Sequence, residues 1–320
     1  MSVQNENTRA LEKLRSLHIG SARDAEAASH ITRLLSRDAE GKLTADVKRF
    51  TKTGETRGFM LIGGPGSGKS HLMHHTLRKL PTLAEGEFGR PHYVQCPVPS
   101  PATFKSMTLA LLAETGYPDG NPRKEAWLLW QDFRHRLKML GISVVWIDEA
   151  QDLFCADRKL ILRALKSLMQ GDDAVAVILS GTDDLAQVIR TDAQVKRRFT
   201  VMILPDVVEQ IDGAAFMGIV AQYCQRVGLG APVEGDLIGR LFHGSRYRFG
   251  RAMELLLNAL ETALERGARD LTIDHFAAAY AMNEACLAAE NAFYAETYWL
   301  LDPDADLEYP NAGKSSKRRA

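Results

Sequence analysis

From residue 63 to residue 70 the chain reads Gly63-Gly64-Pro65-Gly66-Ser67-Gly68-Lys69-Ser70. Glycines at these positions let backbone N–H groups turn toward a row of phosphate oxygens with no Cβ in the way, and a helix opening behind them adds its positive end. The Lys69 ammonium then reaches the β- and γ-phosphates, and the Ser70 hydroxyl offers an oxygen to Mg²⁺. The spacing G-x-x-x-x-G-K-[ST] therefore points to a nucleoside triphosphate, lined by Gly63, Gly64, Pro65, Gly66, Ser67, Gly68, Lys69, Ser70 and the adjoining His71.

A second cluster completes the chemistry. Val144-Val145-Trp146-Ile147 reads as a buried strand that ends in Asp148-Glu149, and open parallel sheets collect ligands at that strand end. Asp148 is expected to hold the metal through its water shell, and Glu149 to orient and polarise an attacking water. A carboxylate in that position favours hydrolysis over phosphoryl transfer to a metabolite; the plainer alternative is an acidic helix cap. A third strand, AVAVILSG, ends in Ser180-Gly181-Thr182, where a hydroxyl, Thr182 in preference to Ser180, can face the γ-phosphate between the first two clusters. Turn chemistry alone is the competing explanation.

Two groups of cations are candidates for transition-state charge. Lys196-Arg197-Arg198 precedes a last strand, so Arg197 or Arg198 can face the γ-phosphate held by a neighbouring subunit. A residue used in that way is worth roughly 10³ to 10⁵ in rate; a solvated charge run is the alternative. Gly250-Arg251 opens a long apolar helix, which sets Arg251 to swing over the phosphates. Against this, a cation near a helix N-terminus is unfavourable.

Positioning these groups requires strands that alternate with helices. Apolar runs at 59–64, 92–98, 142–148, 174–181 and 200–205 read as strands, and helical spacing fills 70–80, 103–115, 125–140 and 158–169. Alternation of this kind implies a parallel sheet covered on both faces. After Pro205 only helical patterns remain, near 209–227, 233–243, 248–266 and 273–289. The expected layout is a helical leader over 1–50, an α/β core over 51–205, a helical lid over 206–290 and a flexible tail over 291–320.

Composition narrows the setting. The 320 residues are 45% hydrophobic and 25% charged, with 40 Lys and Arg balancing 40 Asp and Glu. The chain should fold, and no net field drives it onto nucleic acid or an anionic membrane. Cys96, Cys155, Cys224 and Cys286 lie far apart, without ligand spacing, and read as reduced core residues. His71, His74 and His75 share one helix without a third ligand at useful spacing, so no metal is assigned to them. Trp127 and Trp130 read as core residues rather than as a base-stacking platform. With neither a signal peptide nor an apolar run of membrane-spanning length, a cytoplasmic protein with no membrane partner is expected.

Together these residues resemble the AAA+ ATPases, and the softer segments resemble the transposition regulators called TniB and TnsC. The leader LHIGSARDAEAASHITRLL is similar to the TniB region that packs near the adenine. FMLIGGPGSGKS resembles the TniB strand and phosphate loop, and YVQCPVPSPATFKSMTLALLAETGYP the stretch between the two Walker motifs. FHGSRYRFGRAMELLLNALETALERGARDLTIDHFAAAY resembles the TniB lid. The resemblance covers about residues 15 to 285. One departure stands out: TniB proteins often read Asp-Glu-Ile-His where this chain reads Asp148-Glu149-Ala150-Gln151, a form closer to ATPases of secretion and replication initiation.

The resemblance implies an α/β AAA+ fold with a C-terminal helical lid, ATP and Mg²⁺ as cofactors, and a ring or filament of identical subunits on double-stranded DNA. It also implies a transposase and a target-selection protein as partners. Positive charge for the DNA would come from Lys105, Arg123 and Lys124. The basic end, 314–319, reads as a solubilising tail. The rival readings are a secretion-associated AAA+ ATPase, which usually continues into a membrane span, a replication initiator or loader, which usually appends a winged helix, and a nucleotide-gated switch without turnover.

Overall fold

Apolar stretches with no polar face can be buried only from both sides, and they supply the sheet of this molecule. The computed structural model describes residues 3–86, 89–117 and 123–305. Two helices, α1 (Val3–Arg15) and α2 (Ala22–Thr32), lead into a hairpin of β1 (Leu35–Arg37) and β2 (Leu43–Val47). Then follow β3 (Gly58–Ile62), α3 (Lys69–Lys79), α4 (Pro81–Ala84), β4 (Tyr93–Pro97), α5 (Phe104–Glu114), α6 (Ala126–Met139), β5 (Val144–Asp148) and α7 (Ala150–Leu168). The core closes with β6 (Ala176–Gly181), α8 (Asp183–Arg190), α9 (Ala193–Lys196) and β7 (Phe199–Ile203). Among the described residues four α-helices follow, α10 (Glu209–Val227), α11 (Leu237–Gly244), α12 (Phe249–Glu265) and α13 (Ile273–Glu284), and then two short 3₁₀ turns, Ala288–Glu290 and Tyr298–Leu300.

The large sheet is parallel, in the order β4-β5-β6-β3-β7. Alternate residues feed opposite cores, as the two-residue period of a strand demands. Met60, Ile62, Val145, Ile147, Val177 and Leu179 face one side, among residues of α5, α6, α7 and α8. Phe59, Leu61, Val144, Trp146, Ala176 and Ile178 face the other, against Ala27, Ile31, Leu72, Met73 and Leu77 of α2 and α3. Because all five strands run the same way, their C-terminal ends form a single edge.

The chain divides into two compact units, one of His18–Pro205 and one made of the residues before His18 with those from Asp206 on. The first division therefore falls at Leu17, not at residue 50. Helical spacing holds for α1 and α2 but not beyond. Leu34 and Leu35 continue the apolar rhythm from Ile31, yet Asp38 and Gly41 (φ +81°) turn the chain back, and Asp38 N–H donates to Lys42 O at 3.0 Å. Residues drawn as the end of the leader are thus a hairpin of the core unit. Helix α7 begins eight residues before the expected Arg158, directly behind Glu149, and α8 and α9 were not anticipated.

In the helical unit, Phe216 and Phe242 meet edge to face at 5.2 Å. The segment after residue 290 packs as well: Asn291, Ala292 and Phe293 are buried, and Asn291 Nδ2 donates to Ala277 O at 2.9 Å. Arg246 grips Glu284 through two bonds of 2.8 and 2.9 Å and also bonds Asp304 at 2.5 Å, and these partners hold its guanidinium firmly protonated. The tail drawn from 291 is therefore packed at least to Asp304, and the basic run 314–319 lies outside the described residues.

Cys96 and Cys224 are buried, and burial pushes both thiols up to about 11. Cys286 is half-buried, and the side chain of Cys155 lies outside the described residues. Among the described residues no helix is long and apolar enough to cross a membrane.

Gly58 opens β3 where a Cβ would meet Phe199 Cε1 and the Val177 carbonyl, each at 2.4 Å. Gly58→Ala should lower the unfolding free energy by about 2–3 kcal/mol in urea titration through overpacking. Gly20→Ala, with nothing within 4 Å of the added Cβ, should leave it unchanged and serves as the control.

Candidate active site

The loop after β3 folds as its glycines allow. Gly66 (φ +75°) and Gly68 (φ +92°) take left-handed conformations that side chains resist, and Gly68 is the residue from which α3 starts. Gly63 is held close for another reason: a Cβ there would lie 2.6 Å from Ser67 Oγ. Lys69 is buried, and its ammonium donates to the carbonyls of Gly63 at 2.9 Å and Gly64 at 3.2 Å. The buried Ser67 hydroxyl has no hydrogen-bond partner.

Strand order brings the rest together. β6 lies between β3 and β5, so its tip separates the phosphate loop from the acidic pair. Asp148 accepts from Ser70 Oγ through Oδ2 at 2.5 Å and from Ser180 Oγ through Oδ1 at 2.5 Å. Ser180 in turn accepts from Trp146 Nε1 at 2.7 Å in the core. The Ser70 hydroxyl and the Asp148 carboxylate thus present hard oxygens to one point, a donor set that fits Mg²⁺.

Glu149 stands at the turn into α7 with φ +51°, a left-handed value uncommon for a residue with a side chain. Such strain costs on the order of 1–3 kcal/mol and gathers at functional sites. Its carboxylate Oε2 accepts from Gln151 Nε2 at 2.7 Å, and Gln151 Oε1 accepts from the Thr182 N–H at 3.2 Å. Thr182 Oγ1 is buried with no hydrogen-bond partner. Of the two hydroxyls at the β6 tip, Ser180 is committed to Asp148, and Thr182 is the one with unmet bonding capacity beside Glu149.

The arginine pair separates on inspection. Arg198 is 5% exposed, bonded to Glu55 Oε1 at 2.7 Å and to the carbonyls of Lys166 and Met169 at 3.3 and 3.5 Å. A guanidinium so enclosed has no reach toward another subunit. Arg197 also bonds Glu55, at 2.9 Å to each oxygen, but its side chain is 57% exposed. Arg251 is half-buried in the first turn of α12, in the helical unit.

Of the expected DNA contacts, Lys124 pairs with Asp132 at 2.6 Å, Lys105 is half-buried on α5, and Arg123 has interactions of its own. Trp130 is core, donating to Ser167 Oγ at 2.9 Å, whereas Trp127 is 41% exposed and only flanks Phe104.

Sequence spacing missed Gln151 as a partner of Glu149, Glu55 as the clamp on two arginines, and a histidine cluster. Only Gln151, two residues after Glu149, carried a local signal. His18 stacks on His75 at 3.4 Å and on His71 at 5.0 Å, and it hydrogen-bonds Asp24. His18, Asp24 and His75 thus supply the three ligand atoms that α3 alone lacked, within 4.8 Å of one another. The stacked rings lie within 8° of parallel, and imidazole lone pairs lie in the ring plane, so one ion cannot sit in both planes. We assign no metal there.

Two outcomes follow from these contacts. Ser180→Ala leaves the Trp146 indole N–H without its acceptor and should cost about 1–3 kcal/mol in urea unfolding. Burial, and then the neighbouring His18, hold His71 and His75 below the ordinary value of 6.5, with Asp24 opposing and His74 or Lys79 adding to the effect. The unfolded chain then binds protons that the folded one refuses, so stability should be full above pH 6.5 and fall as acid is added. His75→Gln should flatten that loss in a series of melting temperatures taken from pH 7.5 downward.

Comparison with solved structures finds the same fold in proteins of low identity. The ORC1 protein of Aeropyrum pernix, solved in complex with DNA, superposes with a TM-score of 0.60 at 17% identity, over 82% of this chain and 65% of that one. The ORC2 protein of Aeropyrum pernix, in ADPNP and ADP complexes, gives 0.58 at 18% identity, over 86% and 72%. Cdc6p of Pyrobaculum aerophilum gives 0.53 at 12% identity, over 69% and 59%. This chain therefore spans less than two thirds of the first and third of these proteins. No curated protein matches the sequence. The parallel sheet, its helices and the C-terminal helical region have the AAA+ ATPase architecture. Residues 27–208, more than half of the chain, match the family described as bacterial TniB protein, and the chain belongs to that family.

Proposed function

We propose that this chain is an ATP-hydrolysing regulator of DNA transposition that assembles with ATP on double-stranded DNA and recruits or activates a transposase at the target. The observation that carries the ATPase reading is the meeting of Ser70, Asp148, Glu149 and Thr182 at one sheet edge, with Ser70 and Asp148 joined at 2.5 Å. Family membership supports the transposition reading. The DNA-bound protein of Aeropyrum pernix that shares the fold supports a DNA partner.

In this mechanism the backbone N–H groups from Gly63 to Gly68 and the α3 terminus bind the phosphates, and Lys69 leaves its loop carbonyls for the β- and γ-phosphates. Ser70 and Asp148 would hold Mg²⁺, which neutralises charge on the β- and γ-phosphates when bound. Glu149 takes a proton from water as the water oxygen bonds to the γ-phosphorus. The bond from that phosphorus to the β–γ bridging oxygen breaks, and ADP leaves with the electron pair. Thr182 Oγ1 orients the water or the γ-phosphate. Arg197, more exposed than Arg198, is the candidate to meet the γ-phosphate of an adjacent subunit in a ring or filament, and Arg251 is the candidate to swing over the phosphates. Lys105 and Arg123 remain candidate phosphate contacts for the DNA, with Lys124 already shared with Asp132.

Electron microscopy and phosphate release, with and without duplex DNA at fixed salt, test the assignment. Lys69→Ala should lose ATP binding. Glu149→Gln should keep binding, lose turnover by about 10²-fold or more, and persist as the assembled state on DNA. No assembly on DNA with any nucleotide would overturn the DNA reading, and normal turnover by Glu149→Gln would overturn the assignment of the base.

A further inference from the structure

We propose that Gln151 is a positioning residue for hydrolysis, one amide that fixes the Glu149 carboxylate and the Thr182 segment relative to each other. The proposal deepens the ATPase reading and rests on Glu149 as the base.

Gln151 occupies the second position of α7, where its side chain reaches the tips of two strands. Its two bonds admit only one orientation of the amide. A carboxylate can only accept and a backbone N–H can only donate, so Nε2 must face Glu149 and Oε1 must face Thr182, as the distances of 2.7 and 3.2 Å have it. Gly181, between Ser180 and Thr182 at the β6 tip, is adapted to this amide: a Cβ there would lie 2.4 Å from Gln151 Oε1. Any side chain at 181 would displace the amide from its place.

The chemistry gives the bridge a purpose. Hydrolysis needs one water held between a base and a second polar group, and a misplacement of about 1 Å costs about 10²-fold. Gln151 engages Glu149 Oε2 and leaves Oε1 for the water. On its other side it anchors the backbone of Thr182, whose buried hydroxyl has no partner. Glu149 is in a left-handed turn that leaves its side chain without a cap bond to the helix behind it. The Gln151 amide supplies the lateral restraint that such a carboxylate needs. Because the same amide touches the β6 tip, a shift of Thr182 on the γ-phosphate is transmitted to the base.

The test is a double-mutant cycle on the full chain, with ATP affinity and melting temperature measured for each variant. Gln151→Ala should lower kcat about 10- to 100-fold while ATP affinity and melting temperature stay unchanged. Gln151→Glu, which keeps an acceptor for Thr182 but sets a second carboxylate against Glu149, should fall at least as far. In a Glu149→Gln background, adding Gln151→Ala should change the residual single-turnover rate less than twofold, because a group that acts only through Glu149 has nothing left to position. Wild-type kcat in Gln151→Ala overturns the proposal, as do costs that multiply in the double variant or a loss confined to ATP affinity. Wild-type kcat in Glu149→Gln instead removes the base itself, whatever Gln151→Ala does, so the two failures are told apart.

Discussion

The carboxylate of Asp148 joins three segments that are distant in sequence. It stands at the end of β5, accepts from Ser180 at the end of β6, and accepts from Ser70 behind the loop that follows β3. Hydrogen bonds to a charged group contribute about 1.5–3 kcal/mol each, and here they act where the strands leave the sheet and backbone pairing ends. The arrangement depends on parallel topology: only when β3, β6 and β5 run the same way and lie side by side do their C-terminal residues reach one carboxylate. Burial of the sheet on both faces therefore positions the site, since the two apolar cores hold strand order and register.

What the sequence made legible follows the same division. The phosphate loop could be read because its backbone demands glycine at left-handed positions such as Gly66 and Gly68. The strands could be read because residues buried on both sides leave continuous apolar runs. The acidic pair followed from its place after one of them. The errors arose where local pattern and tertiary structure part. Leu34 and Leu35 fit a helical rhythm with Ile31 yet lead into a hairpin, and Phe293 and its neighbours offer too short an apolar signal to reveal that they pack. Helix α7 starts directly behind Glu149 because a left-handed residue allows an abrupt turn from strand to helix, which no propensity scale records.

Charged residues were the least legible group, for a physical reason. Arg197 and Arg198 are adjacent and chemically identical, and a sequence cannot distinguish them. The structure does so through Glu55, which lies 142 and 143 residues away. Exposed ion pairs contribute about 0–1 kcal/mol, whereas breaking a buried pair costs about 3–5 kcal/mol. Arg198 is therefore committed to the fold, and Arg197 keeps an exposed guanidinium on the same anchor. The clamp holds the more exposed arginine near a defined direction, at some cost in side-chain entropy.

The same reasoning explains why the polar groups of the site are tied to one another in series. A long side chain at a strand tip has several rotamers, and fixing each independently would require a separate partner. In this edge, Trp146 fixes Ser180, Ser180 and Ser70 fix Asp148, and Gln151 joins Glu149 to Thr182. The chain starts from an indole in the core, where Trp146 is 1% exposed, and runs outward to the phosphate loop. A polar network anchored in a close-packed interior takes on the rigidity of that interior. Among the described residues, the hydroxyls of Ser67 and Thr182 are buried without partners. A buried hydroxyl left unsatisfied costs about 1–3 kcal/mol, a cost that a hydrogen bond to a bound phosphate or water would offset.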